Sequence, residues 1–361
     1  MASNPNNLLA DESELCELTP KELLPILIEH AIAGEAVGIE GAPGGGKSDI
    51  VKQAAMLAGK PMLPPMNLEL SDSTDMKGLP AFSDDKLTHH WAKDKRWLHP
   101  TAFTNFMDEL PRGSIPAQGA ACMALLENRI DDLYLPDGTW HVWAGNRTQD
   151  RAGANRVPSI VYQRCSMYGL RYDAQSQIEY MLDLPEEEVD LLTLRFLRMK
   201  GDGAMAFDPA KKINATPRSW TWVSRYIAST HQPDPAAASA TAQQAAPRPL
   251  HYATIAGKIG KGMATELMAF RELAPQLPPI EQIIMAPDSA KVPDNVSALF
   301  LVTDSMADKA GLGTFDAMVT YAKRLPPEFQ AAFVNSAVKR HSEVTATRGF
   351  VSWGINFTSS L

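Results

Sequence analysis

The chain has 361 residues, enough for two or three domains, and its 45% hydrophobic content supplies a sizeable core. A formal net charge of −8 argues against a broad, sequence-independent grip on nucleic acid, which needs many unpaired Lys and Arg, while leaving room for a local basic patch. The three cysteines, Cys16, Cys122 and Cys165, lie far apart without metal-ligand spacing, as expected of reduced thiols in a cytoplasmic protein. The acidic N-terminal stretch does not read as a secretory signal, and no apolar run approaches the length of a membrane span.

In chain order, Thr19-Pro20 fits an N-cap and first helical residue, with Leu23, Leu24, Ile26 and Leu27 as the apolar face. The short apolar run from Ala36 to Ile39 reads as a strand entering a glycine-rich loop, "GAPGGGKS". "SDIVKQAAMLAGKP" then has helical spacing and stops at Gly59 and Pro61. The alternation continues: "MLPPMNLEL" reads as a second strand, "AFTNFMDEL" as a third, "PAQGAACMALLENR" as a helix and "WHVWAGN" as a fourth strand. The pattern predicts an α/β fold with a parallel sheet flanked by helices. From about Pro185 strands stop, and "PEEEVDLLTLRFLRM" and "PRSWTWVSRYIAS" read as helices. Residues 232–249, rich in Ala and Pro, read as a linker, and 250–361 as a mostly helical region.

The loop matches G-x-x-x-x-G-K-[ST], with Gly41, Gly46, Lys47 and Ser48 at the fixed positions. Glycines let successive backbone N–H groups turn inward around a phosphate chain, and the following helix points its positive dipole end at the same anion. The expected nucleotide-binding set is Gly41, Ala42, Pro43, Gly44, Gly45, Gly46, Lys47, Ser48 and Asp49. Lys47 is expected to reach the β- and γ-phosphates and Ser48 to ligate Mg²⁺. A phosphate loop calls for an acidic pair at the end of a neighbouring strand, which "FTNFMDE" supplies. Asp108 is the expected second metal residue, and Glu109 the residue that polarises the attacking water. Thr104 and Asn105 make this strand less apolar than such strands usually are. Asn146, at the end of "WHVWAGN", is placed to orient the water or to cap a turn. The guanine-reading N-K-x-D is absent from "NRTQD", so ATP is the expected nucleotide.

Taken in order, these elements resemble the AAA+ ATPases, most closely their MoxR-like branch, over about residues 20–230. "GAPGGGKS" is similar to the Walker A of that branch and "FMDE" to its Walker B, while "WAGN" resembles the sensor 1 strand and makes Asn146 the sensor. "VPSIVYQRCSMYGL" resembles the arginine-finger segment, which makes Arg164 the candidate, with Arg147, Arg151 and Arg156 competing for that role. "ATPRSWTWVSRYI" is similar to the lid helix carrying sensor 2, hence Arg218. "LSDSTDMKGLPAF" and "ENRIDDLYLPDGTWHVWAGN" resemble two insertions of the branch. The resemblance implies a nucleotide-binding core at 1–180, a helical lid at 181–231, and a homo-oligomeric ring, usually a hexamer, with ATP between subunits. It implies protein partners remodelled at the expense of ATP, among them von Willebrand A-type proteins.

Two other functions compete. A DNA-directed motor or loader needs basic residues along a pore, and "HHWAKDKRW" (89–97) interleaves Lys93, Lys95 and Arg96 with Trp91 and Trp97. A non-catalytic nucleotide switch is disfavoured by the intact Lys47, Asp108 and Glu109.

Overall fold

The structure is a computed structural model describing residues 15–84, 86–147, 157–230 and 250–358. The chain divides into two compact units, Met1–Tyr180 with Met205–Trp222, and Met181–Ala204 with Val223–Leu361.

The first unit is built on a six-stranded sheet whose neighbours all run parallel. Its elements begin with β1 (Cys16–Leu18), α1 (Pro20–Ala33), β2 (Val37–Gly41), α2 (Lys47–Leu57), β3 (Met66–Asn67) and α3 (Ser73–Lys77). A hairpin of β4 (Leu79–Phe82) and β5 (His89–Ala92) precedes β6 (Thr104–Asp108) and α4 (Ile115–Glu127). A second hairpin, β7 (Arg129–Ile130) with β8 (Leu133–Tyr134), leads into β9 (Trp140–Gly145). Then come α5 (Ser159–Arg164), β10 (Ser166–Leu170) and α6 (Ala174–Leu182). The strand order is β1-β10-β2-β9-β6-β3, so β9 is inserted between the strand entering the glycine loop and the strand carrying the acidic pair. Helices cover both faces, as a parallel sheet requires. Val37, Ile39, Phe106, Val142 and Ala144 pack with Leu23, Leu27, Ile50 and Val51 of α1 and α2. Met107 and Trp143, one residue out of phase, pack with Ala120, Ala121 and Ala124 of α4 and Val161 of α5.

Local signals set the first helix. Thr19 is the N-cap of α1, accepting from the Glu22 N–H while Glu22 accepts from the Thr19 N–H, and Pro20 follows at the first helical position. The second expected strand shrinks to Met66–Asn67, because Pro64 and Pro65 have no N–H to give a ladder. The helix expected from Pro185 starts only at Leu191, since Asp190 accepts from the Thr193 N–H as N-cap and Glu186–Glu188 form a separate 3-10 turn. The sheet strands β1 and β10 come in addition to those expected from the sequence.

Asn105, one of the two polar residues that interrupt β6, has a structural reason. Asn105 lies opposite His141 in the register of β6 and β9. Its amide donates to His141 Nδ1 at 3.1 Å, and His141 Nε2 donates to Asn128 Oδ1, the C-cap of α4, at 2.9 Å. Both acceptor and donor of a neutral imidazole are thereby satisfied in the core. Burial pushes the His141 pKa down to about 4 from an ordinary 6.5. The unfolded chain therefore binds a proton that the folded one refuses. This share of stability is complete above about pH 6.5 and is lost as pH falls towards 4, a change of roughly 3 kcal/mol. Urea unfolding of wild-type and His141→Gln protein at several pH values should show their difference changing by that amount between pH 7.5 and 4.5. A constant difference would refute it.

The second unit takes in α7 (Leu191–Lys200) and the later part of α8 (Pro217–Thr230). It continues with α9 (Tyr252–Ile259), α10 (Lys261–Leu273), α11 (Ile280–Met285), α12 (Val296–Asp308), α13 (Phe315–Ala322), α14 (Pro327–Arg340) and α15 (Arg348–Thr358). Leu299, Val302, Met306, Phe315, Met318, Tyr321 and Phe333 form its core, with the Phe315 and Phe333 rings stacked at 5.5 Å. Buried Asp304 is ringed by Arg195, Arg198 and Arg340, which ties α7, α12 and α14 together. Among the described residues no helix is long and apolar enough to cross a membrane.

Candidate functional site

The glycine loop turns from the end of β2 into α2 in residues 42–46, and Lys47 is the first residue of the helix. Gly44 and Gly46 take φ of +76° and +80°, a backbone that side chains with a Cβ rarely adopt. Lys47 is 7% exposed, and its ammonium donates to the Gly41 carbonyl at 2.7 Å, the Ala42 carbonyl at 3.2 Å and Asn146 Oδ1 at 2.9 Å. Asn146 Nδ2 faces both oxygens of Glu109 at 3.0 Å. The amide can be oriented only one way here, with its oxygen towards the cation and its nitrogen towards the carboxylate. The Ser48 hydroxyl donates to Asp108 Oδ2 at 3.0 Å, while Asp108 Oδ1 accepts from the Glu109 N–H at 3.0 Å.

Three strands supply this cluster. Gly41 ends β2, Asp108 ends β6, and Asn146 follows β9 directly. Adjacency of β2, β9 and β6 puts Asn146 between the lysine and the glutamate. Glu109 sits in the left-handed region at φ +54°, a conformation that costs a non-glycine residue roughly 1–2 kcal/mol. Strain of this kind concentrates at functional sites. Burial raises the Glu109 pKa above the ordinary carboxylate value, and neighbouring Asp108 adds to this against the opposing pull of Lys47.

Of the remaining expected residues, Ala42 and Gly45 are buried in the loop, Pro43 is partly buried, and Asp49 is exposed in the first turn of α2. Arg218 belongs to the same unit as the loop. Its backbone N–H donates to the Gly44 carbonyl at 3.3 Å, and its side chain is exposed. Arg164 is the exposed last residue of α5, and its side chain has no hydrogen bond or ion pair among the described residues. Arg147 is engaged within its own chain, by Glu17 of β1 at 2.9 Å and the Leu170 carbonyl at 3.1 Å. Arg151, Arg156 and the stretch 232–249 lie outside the described residues. In the stretch 89–97, Trp97 is a core residue, and the Lys93 side chain is 9% exposed and paired with Asp132 at 2.6 Å and Asp131 at 3.5 Å.

Two residues at the loop have no signal in the sequence. The Tyr172 hydroxyl donates to the Pro43 carbonyl, and Thr216 packs on Gly44. Each is far from the loop along the chain: Tyr172 stands in no recognisable motif, and Thr216, two residues before Arg218 in "ATPRSWTWVSRYI", carries no local sign of its contact with the loop.

No family model and no curated protein matches the chain. Among solved structures, NtrX from Brucella abortus aligns over 94% of this chain and 67% of its own, at 10% identity and a TM-score of 0.40. A putative ATPase from Cytophaga hutchinsonii aligns over 88% and 79%, at 16% identity and a TM-score of 0.33. A point variant of RuvB from Thermotoga maritima aligns over 78% and 80%, at 16% identity and a TM-score of 0.37. At these values the reading of the site rests on its own geometry.

Proposed function

We propose that this chain is a Mg²⁺-dependent ATPase of AAA+ type, working as a homo-oligomeric ring that remodels protein partners in the manner of the MoxR-like branch. One observation carries the reading: Lys47, Ser48, Asp108, Glu109 and Asn146 form a single hydrogen-bonded cluster beside a glycine loop at a helix N-terminus. The loop amides and Lys47 bind the triphosphate. Glu109, held by Asn146 and with its pKa raised by burial, takes the proton of the attacking water. Asn146 fixes the distance between base and cation, so a nucleotide that draws Lys47 towards its phosphates is sensed at Glu109.

Magnesium fits the donors present. The Ser48 hydroxyl and the Asp108 carboxylate are hard oxygen ligands on one spot. Among the described residues no cluster of three or more His, Cys, Asp or Glu makes a metal cage, which suits an ion held mainly by substrate phosphates. When bound, the ion neutralises phosphate charge.

Exposed Arg164, with no partner in its own described chain, suits a finger supplied to the next subunit, and Arg147, already paired with Glu17, suits it less. Arg218 beside the loop suits sensor 2. The burial of Trp97 and the pairing of Lys93 weaken the DNA-motor alternative, because both are withdrawn from the basic, aromatic stretch that it needs. A protein of von Willebrand A type is the partner class to try first, in a cytoplasmic setting.

The test is ATP turnover with and without Mg²⁺, followed by mixing. Arg164→Ala and Lys47→Ala proteins, each inactive alone, should regain part of the activity in mixed rings, where an intact arginine faces an intact loop on its neighbour. No rescue in rings demonstrated to be mixed would overturn Arg164 as a finger acting between subunits.

A further inference from the structure

We infer that Tyr172 is a positioning residue of the phosphate-binding loop, filling the place of the side chain that Gly45 lacks and so setting nucleotide affinity. The inference rests on the loop being a nucleotide site.

Gly45 stands between two glycines that need their backbone freedom, yet its own φ lies outside the left-handed region. The backbone at 45 therefore admits any residue, and space is what forbids one. A Cβ there would stand 2.1 Å from Tyr172 Cε1, 3.0 Å from Cδ1 and 3.1 Å from Cζ. The ring occupies that volume, and its hydroxyl donates to the carbonyl of Pro43, two residues upstream in the same loop. Thr216 takes up the adjoining position, with its hydroxyl 2.7 Å from where a Cβ on Gly44 would be. Lys47 in turn holds the Gly41 and Ala42 carbonyls. Every residue of the loop from Gly41 to Gly45 is thus held or packed by a side chain.

Three successive glycines lose more conformational entropy on ordering than three residues of any other type. The loop's inward amides bind an anion well only if that loss is met before the ligand arrives. Tyr172 meets part of it from outside the loop, through one hydrogen bond and one ring face. It lies two residues beyond the end of β10, the strand paired with β2, so a short, sheet-anchored segment carries it. Residue 45 and residue 172 compete for one volume, and that makes the pair testable by exchange.

The experiment measures binding of fluorescent ADP and ATP analogues, together with steady-state ATP turnover, for the full chain and for Tyr172→Ala, Tyr172→Phe, Gly45→Thr and the double variant Gly45→Thr/Tyr172→Ala. Tyr172→Ala should weaken nucleotide binding ~10- to 100-fold, the range expected when a positioned group shifts by about an ångström. The larger loss should fall on KM and the smaller on kcat. Tyr172→Phe, which keeps the ring and loses the hydroxyl, should fall between it and the wild type. Gly45→Thr should weaken binding while Tyr172 is present, and the double variant should bind more tightly than Gly45→Thr alone. If Tyr172→Ala does not fold, the Tyr172→Phe and Gly45→Thr proteins carry the test through the same readouts. Wild-type affinity in Tyr172→Ala, or losses that simply add in the double variant, would overturn the inference. A wild-type chain that binds neither analogue would overturn the nucleotide reading itself, and the inference with it.

Discussion

Glu109→Gln protein should bind ATP within a few-fold of the wild type and turn it over ~10²- to 10⁴-fold more slowly, the range a positioned general base contributes. The glutamine keeps the shape of the side chain and can still accept from Asn146 Nδ2, so the link to Lys47 survives. What it loses is a lone pair basic enough to take a proton. Ser48 and Asp108 stay joined, so metal and nucleotide binding are spared. The acid limb of the wild-type rate profile should carry the same group. Burial raises the Glu109 pKa, so the base is protonated, and turnover falls, at a higher pH than for an ordinary carboxylate. Glu109→Gly should be equally slow and close to the wild type in stability, because relief of the left-handed strain at φ +54°, roughly 1–2 kcal/mol, is offset by glycine's larger loss of chain entropy and by the partner that buried Asn146 Nδ2 loses. Single-turnover ATP hydrolysis and urea unfolding measure both arms. Near wild-type turnover by Glu109→Gln would show that another group activates the water.

Lys47→Ala should lose nucleotide binding by ~10²-fold or more, the cost of removing a charge-assisted contact made by a buried lysine. The substitution has a second consequence inside the site. The Gly41 and Ala42 carbonyls and Asn146 Oδ1 lose a shared donor, and Glu109 loses the nearby positive charge that opposes its burial. The Glu109 pKa should therefore rise further in Lys47→Ala. Binding of a fluorescent nucleotide by equilibrium titration checks the first effect, and carboxylate titration followed by NMR checks the second. Tight ATP binding by Lys47→Ala would remove the phosphate reading of the loop.

Part of this site is legible in short stretches of the sequence. The loop is contiguous: β2, the glycines, Lys47 and Ser48 fall within a dozen residues, and the geometry that wraps an anion is set by local φ and by the helix that follows. Capping of α1 by Thr19 and the helix-period and strand-period alternation are local for the same reason. Asp108 and Glu109 are readable too, because an acidic pair closing an apolar strand is a local pattern. Other features are decided only by how distant segments pair. Asn146 serves the site because β9 slots between β2 and β6, an order that no local pattern encodes. Asn105 looks like a flaw in its strand until register sets it opposite His141, 36 residues away. Gly45 looks like one more flexible residue until Tyr172, from the segment beyond β10, takes the space a side chain would need. Backbone conformation depends on near neighbours and is written into a few consecutive residues. Occupied volume and buried hydrogen-bond partners depend on strand order and register, which the whole fold settles together.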